Sequence, residues 1–185
     1  MRIIAGEWRG RKITAPQGDL TRPTADRTRE TLFSMLVSRL GSFEGLSVAD
    51  LFAGSGALGL EALSRGAASC LFVEQDAAAL RSLRANIANL HAHARCDVRA
   101  QSVLALPPAK APLDLILLDP PYGSGAGAVA LEKLARLGWI APATWISLET
   151  AHNEEAKLKG FVIEAERKVG KARITLVRMD SGSEA

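Results

Sequence analysis

The sequence of 185 residues has the length of one globular domain, or of one domain with a small appendage. Hydrophobic residues make up 48% of it, enough for a full core, yet no apolar run is long enough to cross a bilayer, and the formal net charge of +3 is only mildly basic. The N-terminus lacks the apolar stretch of a secretory signal, and the two cysteines have neither metal nor redox spacing. We therefore expect a cytoplasmic protein with reduced thiols.

The first thirty residues are rich in arginine and lead into a predicted helix. Residues 2–15 are predicted to form a small basic β-hairpin that turns at Trp8-Arg9-Gly10, and residues 26–40 have the apolar spacing of an amphipathic helix. The basic cluster could face a polyanion, or it could be an ordinary solvated surface. Trp8 could likewise stack on RNA or pack against the hairpin.

Strand-like and helix-like segments alternate through the middle of the chain. The predicted strands cover residues 47–52, 69–74, 96–100, 113–118 and 144–149, with helices around 57–65, 80–90 and 131–137. This alternation predicts an α/β fold with a parallel sheet, because parallel neighbours need crossover connections. Residues 161–169 and 173–179 then predict a closing antiparallel hairpin. We expect three segments: an N-terminal hairpin and arm (1–24), the main domain (25–180) and a disordered tail (181–185).

A glycine-rich loop follows the first predicted strand and opens a helix. Gly54, Gly56 and Gly59 satisfy the G-x-G-x-x-G pattern of dinucleotide sites, and Glu74 ends the next strand, where an acid can hold a ribose diol. A nicotinamide-dependent oxidoreductase is therefore one interpretation. Asp50 argues against it, because a carboxylate there suits the ammonium and sulfonium of S-adenosylmethionine better than a pyrophosphate. Asp50 could alternatively serve only to cap the following turn.

The tetrapeptide Asp119-Pro120-Pro121-Tyr122 closes the fourth predicted strand, at the edge where open α/β sheets bind ligands. An exocyclic amino group of a nucleobase is a poor nucleophile, because its lone pair is delocalised into the ring. The Asp119 carboxylate and the Pro120 carbonyl can accept hydrogen bonds from that group and free the lone pair, while the prolines hold them rigidly. Tyr122 offers a face for a flipped base to stack on. The alternative is that the two prolines only form a structural turn. The position of the tetrapeptide, at the end of a strand and downstream of the glycine-rich loop, favours a role in amino-group methylation.

The sequence closely resembles the RsmD family, bacterial methyltransferases that act on guanine N2 in 16S ribosomal RNA. The matching segments are residues 2–12, 22–33, 50–65 and 119–122, in family order. The resemblance implies a Rossmann-like class I methyltransferase fold, with a mostly parallel seven-stranded sheet, a C-terminal antiparallel hairpin, and a small N-terminal β-hairpin plus helix. It implies S-adenosylmethionine as the cofactor.

The implied substrate is one guanine of 16S rRNA, within the small ribosomal subunit or a late assembly intermediate. Adenine N6 or cytosine N4, in RNA or DNA, is the alternative target, because related tetrapeptides serve those amino groups too. We expect a monomer that needs neither a metal nor a membrane.

The resemblance also implies roles for individual residues. Gly54 and Gly56 would line the methionine end of the cofactor, and Glu74 would hold its ribose. Gln101, which replaces the more usual Asp or Asn, would contact the adenine together with Ser102. The predicted cofactor residues are Asp50, Phe52, Ala53, Gly54, Ser55, Gly56, Glu74, Gln75, Gln101 and Ser102. The predicted catalytic residues are Asp119, Pro120, Pro121 and Tyr122. At the position of Tyr122, members of the family often have phenylalanine. The predicted RNA-binding residues are Arg9, Arg11, Lys12, Arg22, Thr24 and Arg27, and residues 22–30 would close over cofactor and substrate.

Overall fold

A computed structural model describes residues 1–16 and 23–182, except for the side chains of Pro23 and Thr24. The strands are β1 (Ser47–Leu51), β2 (Ser69–Glu74), β3 (Cys96–Ala100), β4 (Leu115–Leu118), β5 (Trp145–Ala151), β6 (Phe161–Val169) and β7 (Ala172–Met179). The α-helices are α1 (Pro23–Leu40), α2 (Ala57–Ser64), α3 (Ala77–Asn89) and α4 (Ala126–Arg136).

The strands form one mixed sheet in the order β3-β2-β1-β4-β5-β7-β6. The first five strands in this order run parallel, and β7 pairs antiparallel with both β5 and β6. The predicted fold class is therefore confirmed, including the closing hairpin. The strand order reverses direction between β1 and β4, and this switch point is where open α/β sheets form their ligand crevice. The loop after β1 and the tetrapeptide after β4 consequently meet.

The core lies on both faces of the sheet, which explains the apolar patterns of the sequence. All four residues of β4 are buried, as expected of a parallel strand that helices cover on both sides. On α3, the predicted stripe of apolar side chains is buried throughout. Asp76 begins that helix by accepting a hydrogen bond from the Ala79 N–H at 2.9 Å, as an N-cap residue does. On α1, Leu32, Phe33 and Leu36 are buried, whereas Val37 is 40% exposed and lies outside the buried apolar face.

The N-terminal segment forms a short antiparallel hairpin, as predicted: one bridge joins Arg2 to Lys12, and the Ile3 and Ile13 N–H groups donate to the Arg11 and Met1 carbonyls at 2.9 and 2.8 Å. Its apolar side chains join the main core, where Ile3 and Ile13 are buried. Trp8 is also buried, with the guanidinium of Arg95 at 5.3 Å from its ring centroid. Trp8 therefore packs within the protein and is not available for stacking on RNA. The division into residues 1–24 and 25–180 stays a prediction, although α1 begins two residues before the predicted boundary.

Among the described residues, none of the helices combines the length and the apolar character needed to span a membrane. The same part of the chain contains no group of three or more His, Cys, Asp or Glu side chains that could hold a metal ion. Of the predicted disordered tail, residues 183–185 lie outside the described residues.

Candidate active site

Two adjoining recesses open at the carboxyl edge of the sheet, beside the ends of β1 and β4. The larger recess has a volume of about 890 Å³ and is lined by the loop after β1, the first half of α1 and the turn between β6 and β7. The smaller recess, of about 750 Å³, extends towards the ends of β2 and β3. Phe52, Asp119, Tyr122 and Glu149 line both recesses. The two volumes therefore form one crevice at the switch point of the sheet.

Asp50 lies deep in the crevice, at the end of β1. It is 1% exposed, and its Oδ2 accepts a hydrogen bond from the Gly59 N–H at 2.9 Å. Burial raises the pKa of the Asp50 carboxyl to about 8, the Gly59 hydrogen bond opposes this rise, and the charge of Glu74 adds to it. Asp50 therefore caps the start of α2, and it also lines the larger recess. The capping contact is thus observed and the cofactor role of Asp50 stays a prediction, and a cation beside this carboxyl would favour its ionised form.

Glu74 holds the glycine loop through hydrogen bonds to backbone. Its Oε1 accepts from the Gly54 N–H at 2.8 Å, and its Oε2 accepts from the Gln75 and Asp76 N–H groups at 3.0 and 2.9 Å. Gly54 has a φ of +57°, and a Cβ added there would meet no other atom within 4 Å. The loop thus presents bare backbone to open space, and a ligand can approach it closely.

The rest of the loop is held by its packing against α3. A Cβ on Gly56 would lie 2.3 Å from the Leu83 side chain, so this position accepts only glycine without rearrangement. Ala53 and Ser55 are buried, and Ser55 contributes its carbonyl to a hydrogen bond from the Asn86 side chain at 2.9 Å. Phe52 has a φ of +61°, a conformation that costs a non-glycine residue energy and is found mainly at functional sites.

The residues predicted to contact adenine lie around the smaller recess. Gln101 and Ser102 follow β3 and are half-buried, and Gln75 is exposed beside them. The Ser102 hydroxyl accepts a hydrogen bond from the Leu104 N–H at 3.1 Å, so it caps a short 3₁₀ turn. The structure therefore brings all of the predicted cofactor residues to the crevice or to the loop that shapes it.

The tetrapeptide begins with a carboxyl group in an unusual electrostatic environment. The crevice gives water access to the Asp119 side chain, while protein surrounds it on the other sides. This partial enclosure raises the pKa of Asp119 well above its usual range, and the carboxylates of Glu149 and Asp50 raise it further. Asp119 is therefore a hydrogen-bond acceptor whose ionised form depends on a nearby positive charge.

The remaining tetrapeptide residues place an aromatic ring at the mouth of the crevice. Pro120 is buried and Pro121 is exposed. The Tyr122 ring is 51% exposed, and its hydroxyl donates a hydrogen bond to Glu149 Oε2 at 3.1 Å. A rigid turn thus carries an accessible aromatic face next to Asp119. The hydroxyl that distinguishes tyrosine from phenylalanine at this position has a definite partner, which the sequence did not indicate.

Three charged residues near the crevice were not identified as site residues from the sequence. Glu149 lies near the end of the neighbouring strand β5, and its position beside the tetrapeptide depends on strand order. Arg29 is buried and lines the larger recess, where it forms an ion pair with Glu61 at 3.6 Å. Glu61 is itself fully buried and accepts hydrogen bonds from the Ile4 and Ala5 N–H groups at 2.9 and 3.1 Å. A charged residue inside the otherwise apolar helix α2 was the signal that could have identified Glu61.

The predicted RNA-binding residues are spread over the N-terminal loop and α1. Arg9, Lys12 and Arg27 are exposed. Arg11 is exposed as well, but its guanidinium donates a hydrogen bond to the Asn89 carbonyl at 2.7 Å and so ties the loop to α3. Arg22 and the side chain of Thr24 lie outside the described residues.

The family model described as conserved hypothetical protein 95 matches residues 1–178 of the chain. A curated relative, ribosomal RNA small subunit methyltransferase D of Escherichia coli strain K12, is 40% identical over 150 residues, which cover 81% of this chain and 74% of the relative. The solved structure of the Escherichia coli protein yhhF has a TM-score of 0.82 and 34% identity, and the match covers 97% of this chain and 98% of that one. The magnesium protoporphyrin IX methyltransferase of Synechocystis PCC 6803, solved with bound SAM, shares the fold with a TM-score of 0.65 at 17% identity, over 87% of this chain and 86% of that one.

Proposed function

The chain belongs to the RsmD family, and we propose that it transfers a methyl group from S-adenosylmethionine to the N2 amino group of a guanine in 16S ribosomal RNA. The observation that carries this proposal is the convergence of two motifs at one crevice. The loop after β1 and the tetrapeptide after β4 are far apart in the sequence, yet Phe52 and Asp119 line the same recesses. A methyl donor and a nucleobase acceptor can therefore lie side by side.

The charges of the crevice support a cationic cofactor. Asp50, Glu74, Asp119 and Glu149 all line it, and three of these carboxyls have raised pKa values. A positive group would lower the free energy of their ionised forms, whereas the pyrophosphate of a nicotinamide cofactor would be repelled by them. The open space above Gly54 leaves room for the ligand. These features support S-adenosylmethionine over a dinucleotide.

The extent of the crevice suits the two ends of that cofactor. We assign the methionine end to the larger recess, beside Asp50 and Gly54, and the ribose and adenine to the smaller recess. Glu74 holds a ribose hydroxyl there through Oε1, which accepts only from the Gly54 N–H and retains a lone pair, while two backbone N–H groups already occupy Oε2 and orient the carboxylate. Gln101 and Ser102 then lie beside the adenine.

The tetrapeptide supplies the acceptor side of the reaction. The Asp119 carboxylate and the Pro120 carbonyl accept hydrogen bonds from the amino group, and the Tyr122 ring stacks on the base. When bound, S-adenosylmethionine would supply a methyl group on a positively charged sulfur. That sulfur would keep the electrons of the broken C–S bond, so the leaving group is a neutral thioether. The amino nitrogen forms the new N–C bond and releases one proton to the Asp119 carboxylate. Catalysis arises mainly from holding these groups in line.

The exposed cations of the N-terminal segment and α1 support a nucleic-acid substrate. Arg9, Lys12 and Arg27 are exposed cations that can meet phosphates. We propose that the enzyme works as a monomer in the cytoplasm, on the small ribosomal subunit or a late assembly intermediate. Arg22 and Thr24 belong to the segment that we expect to close over the substrate.

Nucleoside mass spectrometry of small ribosomal subunits tests the proposal. Particles from a strain without the gene are treated with the enzyme and S-adenosylmethionine, then digested and mapped. We expect N2-methylguanosine to form at one nucleotide of 16S rRNA. Particles without new methylguanosine would contradict the proposed function. A new methyl group on adenine N6 or cytosine N4 would establish the alternative target.

A further inference from the structure

We propose that Glu149 reads the target base by accepting a hydrogen bond from guanine N1–H, next to the amino group that Asp119 holds. This inference rests on the proposed function and goes beyond it, since it assigns the choice of base to a residue outside both motifs. Asp119 would hold the amino group of any suitable base, and Glu149 would select guanine.

The strand register places the two carboxyl groups side by side. In the parallel pair formed by β4 and β5, Leu118 lies opposite Leu148. The next residue in each case is an acid, Asp119 directly after the end of β4 and Glu149 within β5, and both line the two recesses. The two carboxyl groups lie close enough in the crevice for the charge of Glu149 to raise the pKa of Asp119.

Tyr122 orients the Glu149 carboxylate and stabilises its ionised form, which can accept the proposed hydrogen bond. The Tyr122 hydroxyl donates to Glu149 Oε2 at 3.1 Å, which makes that oxygen an acceptor and orients the carboxylate. Burial raises the pKa of Glu149, and the hydrogen bond from Tyr122 opposes this rise by stabilising the ionised form. Within the described residues, no cation forms an ion pair with Glu149, so its acceptor capacity is left for a donor in the crevice.

A second hydrogen-bond acceptor beside Asp119 distinguishes guanine from adenine and cytosine. Guanine presents two neighbouring donors, N1–H and the N2 amino group, which match two adjacent carboxylates. Adenine and cytosine also present an amino group, but the ring nitrogen beside it carries a lone pair. A carboxylate facing that lone pair is repelled and loses a hydrogen bond, and sites built around such polar matches discriminate strongly. The Asp119–Glu149 pair therefore fits guanine and opposes the other two bases.

The experiment compares Glu149→Gln with the wild type on two reconstituted particles. One particle carries guanine at the nucleotide that the mapping identifies, and the other carries adenine there. With Tyr122 still donating to the amide oxygen, the side-chain amide of the variant would present N–H to the base. We expect kcat/KM on the guanine particle to fall about 10- to 100-fold, because a charge-assisted hydrogen bond is lost. On the adenine particle we expect kcat/KM to rise at least about tenfold, since the amide can donate to adenine N1.

Two further variants separate base reading from a structural effect. Tyr122→Phe keeps the ring and removes the hydroxyl, and it should lower the guanine-to-adenine ratio in the same direction but less. Glu132→Gln, on the exposed face of α4, should match the wild type. In Glu149→Gln the cofactor affinity measured by calorimetry should fall no more than a few-fold, and the melting temperature should not fall.

The possible results distinguish this inference from the proposed function. If the wild type forms no N2-methylguanosine, the proposed function itself is wrong. If the wild type forms it and Glu149→Gln keeps the same guanine-to-adenine ratio, only the role of Glu149 is wrong. Equal losses on both particles, accompanied by weaker cofactor binding or a lower melting temperature, would assign Glu149 a structural role and would also overturn the inference.

Discussion

Glu74 Oε1 accepts a hydrogen bond from the Gly54 N–H at 2.8 Å, so the acid at the end of β2 holds the glycine loop that follows β1. The other oxygen of the same carboxylate is bound by the next two backbone N–H groups of its own chain. The acid is therefore oriented without any ligand, and the loop keeps its shape through a charged acceptor. The two parts of the proposed cofactor site are in this way physically coupled.

Replacing Glu74 should weaken cofactor binding more than it weakens the fold. Glu74→Ala removes the proposed ribose contact and the acceptor for Gly54, and we expect the affinity for S-adenosylmethionine to fall about 10- to 100-fold, as measured by titration calorimetry. Glu74→Gln keeps an oxygen for one N–H and should lose less. Asp97→Ala, on the exposed side of β3, is the matched control and should bind as the wild type does. Equal affinities in Glu74→Ala and the control would exclude the ribose role.

Replacing Asp119 should separate chemistry from cofactor binding. Asp119→Ala removes the acceptor that we assign to the amino group, while the glycine loop and Glu74 remain. We expect kcat to fall by about a thousandfold or more, because positioning and charge at the reacting nitrogen are both lost. The dissociation constant for S-adenosylmethionine should change only a few-fold. A single-turnover assay on purified particles measures the first quantity and calorimetry the second; full turnover in the variant would refute the assignment.

The buried carboxyl of Asp50 should make the ligand-free protein less stable at alkaline pH. Its pKa of about 8 in the folded state exceeds the value of about 3.9 for an unfolded chain, so folding favours the protonated form. The associated stability is complete at low pH and is lost as the pH rises towards and through 8. Asp119 and Glu149, whose pKa values are also raised, contribute with the same sign.

Thermal unfolding of Asp50→Asn from pH 5 to pH 9 measures this effect. Asparagine resembles the protonated acid and keeps an oxygen for the Gly59 N–H. We expect the difference in melting temperature between the variant and the wild type to increase with pH. The melting temperature of the variant should still fall as the pH rises, but less steeply than that of the wild type. A difference that stays constant over this range would show that Asp50 does not titrate there.

The salt dependence of particle binding should identify the RNA-facing surface. In the double variant Arg9→Ala/Lys12→Ala, two exposed cations are removed, while Arg11 is left because it holds the loop on α3. If both meet phosphates, the slope of log K against log salt should flatten by about 1.5, since each phosphate contact contributes about 0.7–0.9.

The matched control for this measurement removes two exposed cations from other elements of the fold. Lys110 precedes β4 and Arg136 ends α4, and both side chains are exposed. The double variant Lys110→Ala/Arg136→Ala removes the same charge and should keep the wild-type slope. If both double variants have the same slope, Arg9 and Lys12 belong to an ordinary solvated surface and do not contact RNA phosphates.

The elements of the fold were predictable because each carries its own local signal. The strands Ser69–Glu74 and Cys96–Ala100 have the predicted bounds, since an apolar run in the first and alternating polar and apolar residues in the second are local signals that need no tertiary information. Boundaries set by tertiary contacts were less accurate. β4 begins at Leu115 rather than at residue 113, and α1 begins at Pro23 rather than at residue 26.

The N-terminal loop could not be predicted in detail, because its conformation depends on partners far along the chain. Its backbone is held by Glu61 and Ser64 of α2, which accept hydrogen bonds from Ile4, Ala5 and Trp8. Composition indicated the basic hairpin, which the structure contains, but it did not indicate that the hairpin packs on the surface of α2. The burial of Trp8 under Arg95 has the same origin.

By itself the sequence determined the strand-and-helix order, the glycine loop and the tetrapeptide, because these depend on residues that are neighbours in the chain. Only the tertiary structure decided that Glu149 stands beside Asp119, that Tyr122 donates to it, and that Arg29 pairs with Glu61 inside the protein. Those relationships depend on strand order and on helix packing, which join residues separated by tens of positions. Their energies arise from burial and from charge–charge distance, quantities that exist only once the chain has folded.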